Sequence, residues 1–200
     1  QLQFAIIDYK GGSLIEQLRF QGRLLPHCCA ELNNVAENGV ERSLIYLRQE
    51  CERRQRYFAQ AQTALKQPVS DLDHYRQLCL DHPQLPPLAH CVLIIDEFAE
   101  LKQSQPEFMQ DLIQICRIGR SLGLHLILAT QRPAGIVDEQ MWSNFNFKLC
   151  LKVAQKQDSQ ELLHCDKALR LSRPGQFLLL SQQDLVQGQC AWLGGKQTPD

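Results

Sequence analysis

The segment Cys91-Val92-Leu93-Ile94-Ile95-Asp96-Glu97 constrains this chain more than any other stretch, because an unbroken apolar run ends there on two adjacent carboxylates. A short run, β-branched at Val92, Ile94 and Ile95, suits a strand buried on both faces of a parallel sheet. Carboxylates are costly to desolvate without a charged partner. The pair is therefore expected at the carboxyl edge of the sheet, where open α/β folds bind their ligands. Two readings stand on these residues alone: a strand that ends in a polar turn before a helix, or two acids with separate chemical tasks.

Two further strands end in the same way. Leu124–Thr130 is apolar and runs into Gln131-Arg132-Pro133, and Leu2–Asp8 runs into Tyr9-Lys10-Gly11-Gly12. Three strands that pass from apolar body to polar tip imply one ligand edge. The wider pattern predicts a short helix at 13–20, a strand at 27–33, a long helix at about 38–66 and a helix at 71–80. After the 91–96 strand come a helix at 106–122, the 124–130 strand and a short helix near 138–143. A strand at 147–153, a helix at 157–164 and closing strands at 176–181 and 185–193 complete the order. Alternating β and α elements imply a mostly parallel α/β sheet in a single domain spanning residues 1–200.

Composition narrows the classes. The chain is 44% hydrophobic and 22% charged, ordinary for a globular protein. Its 21 Lys and Arg balance 22 Asp and Glu, so no global basic field favours tight non-specific DNA binding. No apolar run approaches the roughly 18–20 residues of a membrane span, and the first residues carry no signal-peptide pattern. Nine scattered cysteines lack both an even count and the C-x₂₋₄-C spacing of a zinc site. They are expected to be free thiols that pack as small hydrophobes. His125, inside an apolar strand, is expected to be a satisfied buried histidine.

Asp8-Tyr9-Lys10-Gly11-Gly12, Asp96-Glu97-Phe98-Ala99-Glu100-Leu101, Arg117-Ile118-Gly119-Arg120-Ser121-Leu122-Gly123 and Ala129-Thr130-Gln131-Arg132-Pro133 occur in that order. Together with Trp142-Ser143-Asn144 and Arg173-Pro174-Gly175, they make the chain resemble an FtsK/SpoIIIE-type motor ATPase domain over nearly its whole length. Within that superfamily it is most similar to the ATPase domains of type VII secretion motors, the EssC/EccC group. The resemblance implies a RecA-like P-loop NTPase fold, ATP and Mg²⁺ as cofactors, and a motor role in protein secretion. Asp96 would hold Mg²⁺ through water, Glu97 would polarise the attacking water, and Thr130 with Gln131 would sense the γ-phosphate. Asp8, Lys10, Gly11 and Gly12 would lie on the nucleotide edge.

The implied partners are other ATPase domains and a secreted helical protein, with no appreciable DNA affinity. Membrane attachment would come only through other parts of a parent at the cytoplasmic face. A DNA translocase of the same superfamily, and a non-hydrolysing domain that binds a secreted protein's signal, remain as alternatives.

One departure matters. The Walker A loop, G-x-x-x-x-G-K-[ST], supplies the backbone cradle for phosphates and a Lys for the β/γ oxygens, and it is absent. The one Gly-Lys pair, Gly195-Lys196, precedes Gln197 and has Cys190 where the motif needs Gly. The expectation is the later part of a longer polypeptide, with a sheet that lacks one central strand and exposes an unpaired edge.

The long helix carries a stripe at Val40, Leu44, Leu47, Cys51, Phe58, Ala61 and Leu65, and the single vacancy in it is Arg54. Arg54, flanked by Arg53, is either paired with a carboxylate inside the domain or presented to a neighbour's γ-phosphate as an arginine finger. Arg117 and Arg120 share a helix face and are candidates for interface, finger or solvated charge.

Overall fold

The computed structural model describes residues 2–8, 13–33, 37–131, 135 and 144–191. These form two compact units, 1–131 and 132–200.

In the first unit, β1 (Leu2–Asp8), β4 (Cys28–Asn33), β5 (His90–Asp96) and β6 (Leu124–Leu128) make a parallel sheet in the order β4-β1-β5-β6. β1 and β5 are central. Ile6, Ile7, Leu93 and Ile95 are accordingly buried, as expected for strands whose both faces are covered. The register sets Asp8 opposite Asp96 on one side and Asn33 on the other, so three polar strand tips line up along the carboxyl edge. β6 is the outer member of this sheet, and Ile127 on it is 51% exposed. β4 is the outer strand on the other side.

Five helices surround this sheet in sequence: α1 (Ser13–Gln17), α2 (Glu37–Leu65), α3 (Leu72–Asp81), α4 (Phe98–Ser104) and α5 (Pro106–Gly119). The α2 stripe is realised, with Leu47, Cys51, Arg54, Phe58 and Ala61 all buried. Asp71 caps α3 by accepting the His74 amide at 2.9 Å. Gly123 has φ +77° and turns the chain into β6. An added Cβ there would lie 2.1 Å from Leu72 Cδ2, so α3 seats against the strand only because the position is glycine.

Two stretches differ from the sequence expectation. Helix 13–20 stops at Gln17 and gives way to a small hairpin, β2 (Arg19–Phe20) and β3 (Arg23–Leu24). Gln21 and Gly22 both have positive φ at its tip, the geometry of a type I′ turn. A separate helix, α4, precedes Pro106, which starts α5 where its missing N–H costs nothing. The helix near 138–143 lies outside the described residues.

The second unit contains β7 (Phe147–Leu151), α6 (Lys156–Leu163), a 3₁₀ turn (Lys167–Arg170), β8 (Gln176–Ser181) and β9 (Asp184–Gln189). The strands form an antiparallel sheet in that order, distinct from the parallel one. One face, with Cys150 and Leu178, packs on Leu163, Ala168 and Leu171. The opposite face is also apolar. Leu149, Leu179 and Val186 are cross-strand neighbours on it, as are Leu151 and Phe177. Phe147, Leu149, Leu151 and Val186 each expose half or more of their surface.

Candidate functional site

The carboxyl edge of the parallel sheet gathers most of the described candidates. Asp8 is fully buried, and its Oδ2 accepts the Leu14 amide at 2.9 Å. That bond fixes the chain after β1 into α1 and gives the buried carboxylate a donor. Asp96, directly opposite in register, is half-buried. A buried acid beside a second acid at a strand edge is an arrangement that a divalent cation would neutralise.

Glu97 sits immediately beyond β5 in the left-handed region, φ 58° and ψ 55°. For a side chain with a Cβ this costs on the order of 1–2 kcal/mol, so the surroundings must enforce it. They do so through β6 and the residues that follow it. The Phe98 amide donates to Ala129 O at 2.9 Å, and the Ala129 amide donates to Ile95 O at 2.9 Å. The Thr130 hydroxyl donates to Glu97 Oε1 at 2.5 Å, and the Gln131 amide reaches both carboxylate oxygens at 3.3–3.4 Å. Glu97 is 5% exposed, and its carboxylate is held by two residues that follow the neighbouring strand β6.

The strained turn aims Glu97 sideways, towards the tip of β6, while Asp96 continues the line of β5. The two adjacent acids are thus separated in direction by backbone geometry. Nothing in the sequence signalled that conformation, because Glu has no preference for it. The Thr130–Glu97 bond was equally invisible, since it depends on the β5–β6 register. Gln131 is exposed at the same edge. Lys10, Gly11 and Gly12 lie outside the described residues.

The arginine candidates separate clearly. Arg54 is 1% exposed. Its Nε donates to Glu50 Oε1 and its Nη1 to Leu122 O, both at 2.7 Å. This is the internal ion-pair geometry; a finger needs its guanidinium at the surface. Arg53 holds the same Glu50 through two bonds of 2.7 Å and lies over the Tyr57 ring. Burial pushes the Glu50 carboxyl up, but the hydrogen bonds from Arg53 and Arg54 outweigh it and leave the group below its ordinary range. Arg117 and Arg120 are exposed at the end of α5. His125 is satisfied, by His90, but it is exposed because β6 is an edge strand. The nine cysteines are free, and among the described residues no group of three ligand-type side chains could hold a metal.

A parallel sheet with paired acids at one strand tip, braced by the polar residues that follow the neighbouring strand, has the architecture of RecA-like P-loop ATPases. The comparisons agree, and the chain belongs to the FtsK/SpoIIIE family, whose family model matches residues 1–135. It is 39% identical over 196 residues to the type VII secretion system protein EssC of Staphylococcus aureus, covering 97% of this chain and 13% of that protein. It is 37% identical over 198 residues to the ESX secretion system protein EccC of Geobacillus thermodenitrificans, again 97% of this chain and 13% of the relative. Among solved structures, the cytoplasmic domain of the Thermomonospora curvata type VII secretion ATPase EccC matches with a TM-score of 0.79 at 27% identity. That match covers 99% of this chain and 22% of the solved one. The chain therefore spans only about an eighth of the curated relatives it resembles.

Proposed function

We propose that this chain is the acid-and-sensor part of an ATP-driven motor domain in a type VII-like protein secretion system. It couples nucleotide state to the handling of a secreted helical protein and to assembly with other ATPase domains. The observation that carries this reading is the anchoring of Glu97 to Thr130 and Gln131 beside the Asp8–Asp96 pair. In this reading Asp96, next to Asp8, would hold Mg²⁺, which supplies charge neutralisation for phosphate oxygens. Glu97 positions and polarises water, and its bonds to Thr130 and Gln131 tie its placement to the strand that senses the γ-phosphate. Lys10, Gly11 and Gly12, which follow Asp8 in sequence, would belong to the nucleotide edge in this reading.

The residues present fit the metal and the water but not the phosphate cradle, since no G-x-x-x-x-G-K-[ST] occurs among the 200. The exposed edge of β6 suits the strand that would carry that loop in a longer protein. Residues 1–200 would then serve one ATPase module, at the cytoplasmic face of a membrane-anchored parent. With Arg54 committed internally, Arg117 and Arg120 are the candidates to act in a neighbouring site. Absence of the loop favours one second reading, a non-hydrolysing module that binds a secreted protein's signal.

Two measurements test this. Titration of the 200-residue chain with Mg·ATP should give no micromolar affinity, and a micromolar value would overturn that expectation and point to a different phosphate site. In a longer protein that carries the loop, Glu97→Gln should retain nucleotide binding and lower turnover by about 10²–10⁴-fold. Asp96→Asn should instead weaken Mg²⁺-dependent binding. Hydrolysis unchanged by Glu97→Gln would overturn the role assigned to Glu97, whereas no hydrolysis by the unmodified loop-bearing protein would favour the signal-binding reading.

A further inference from the structure

Asp73, His90 and His125 come from three elements and meet at the amino-terminal ends of β5 and β6. The six residues from His90 to Asp96 put them roughly 20 Å from the carboxyl edge. His90 Nδ1 and His125 Nε2 are 3.0 Å apart, and His90 Nε2 lies 3.1 Å from Asp73 Oδ1. The imidazole centroids are 5.2 Å apart with planes inclined at 26°, so the facing nitrogens meet nearly edge to edge. Asp73 belongs to the first turn of α3, whose start is further tied down by the Leu72 amide on Ser121 O at 2.8 Å. The other charges facing the cluster are Arg54 from α2 and Arg120 after α5. Arg76 lies 3.9 Å from Asp73.

A nitrogen–nitrogen hydrogen bond needs one donor and one acceptor. The neutral pair meets this when His90 donates from Nε2 to Asp73 and accepts at Nδ1 from His125. One added proton is also accommodated. His90 then donates from both nitrogens, with Asp73 as counter-charge, and His125 accepts at Nε2 after moving its own proton to Nδ1. A second proton places hydrogens on both facing nitrogens and two like charges in contact.

We propose that Asp73, His90 and His125 form an acid-sensitive clamp that fixes the start of α3 to β5 and β6. It is closed while the neutral imidazole pair has taken up at most one added proton and is opened by a second. Partial desolvation first, then the charge on His90 and on Arg54, holds the His125 imidazole below its ordinary value of 6.5, against the pull of Asp73. A base with a lowered folded value stabilises fully above that ordinary value. The stabilisation is lost as pH falls through the lowered one. The clamp therefore loosens on the acid side of neutrality.

Hydrogen exchange on the 200-residue chain tests the proposal, with rates corrected for intrinsic pH dependence. Protection of the Tyr75–Leu78 amides should fall by about tenfold or more between pH 7.5 and 5.0, while β1 stays protected. In His125→Gln the amide still donates to His90 but cannot add a second positive charge. Its α3 protection should change by less than about twofold over the same range. His82→Gln, at the far end of α3, should keep the unmodified profile. Constant α3 protection in the unmodified chain, or the full acid loss in His125→Gln, overturns the clamp. Should His125→Gln fail to fold, imidazole NMR titration of the unmodified chain decides. Coupled titration of His90 and His125 supports the clamp, and two independent, ordinary titrations refute it.

Discussion

Replacing Arg54 separates stability from assembly, because its surroundings allow the loss to be worked out group by group. Arg54→Ala removes the most voluminous fully buried side chain of the described core and leaves Leu122 O without its 2.7 Å donor. An orphaned buried carbonyl costs about 1–3 kcal/mol. Glu50 is not abandoned, since Arg53 keeps both of its oxygens. The cost should therefore sit at the lower part of the roughly 3–5 kcal/mol seen when a buried pair loses one member. At about 2–4 °C per kcal/mol for a chain of this size, 3 kcal/mol lowers Tm by about 6–12 °C. Arg54→Met refills much of the volume and isolates the carbonyl term, so its loss should be about 1–3 kcal/mol. Thermal denaturation of monomeric protein provides the assay. A Tm for Arg54→Ala within about 2 °C of the unmodified chain, less than one kcal/mol of loss, would refute the internal-pair reasoning and reopen a role for Arg54 outside its own domain.

Gly123→Ala combines a left-handed backbone with a clash against Leu72, so it should cost about 2–5 kcal/mol by urea denaturation. Glu50, held below its ordinary value of 4.5, contributes stability that is complete above that value and lost as pH falls through the lowered one. Glu50→Gln should flatten that part of an acid-unfolding curve. Cys29 is exposed and its neighbour Cys91 holds its thiol below the ordinary value, so its alkylation should rise at a lower pH than that of an unperturbed thiol. Mass mapping should find the buried Cys91 thiol, pushed up by Cys29 and by burial, unmodified. Gel-shift titration at physiological salt should detect no sub-micromolar binding to random duplex DNA, because 21 cationic side chains face 22 anionic ones.

Much of this architecture was legible because the apolar runs are long and end abruptly. β1 and β5 fall where the sequence put them, and Asp8 and Asp96 share one edge because both strands are parallel and in register. The vacancy in the α2 stripe correctly marked Arg54 as a special position. Its partner was not deducible: Glu50 is one helical turn away, but the Leu122 carbonyl is 68 residues distant in sequence. The break between α4 and α5 was readable from Pro106 and was missed in favour of one later helix. The left-handed turn at Glu97 and the His90–His125 pairing arise from tertiary register, and no local preference encodes them.

The bare apolar face of the second unit has a consequence for handling this polypeptide. Phe147, Leu149, Leu151 and Val186 expose between 51% and 68% of their surfaces. At about 1.5–3 kcal/mol for burying such a side chain completely, covering the exposed portions of all four would release about 3–7 kcal/mol. That quantity is available to whichever surface arrives first. A covering element tethered in the same polypeptide competes at an effective concentration in the millimolar range, far above that of free copies in dilute solution. The face is thus selective by proximity, satisfied within one molecule when a cover is attached and adhesive towards other molecules when it is not.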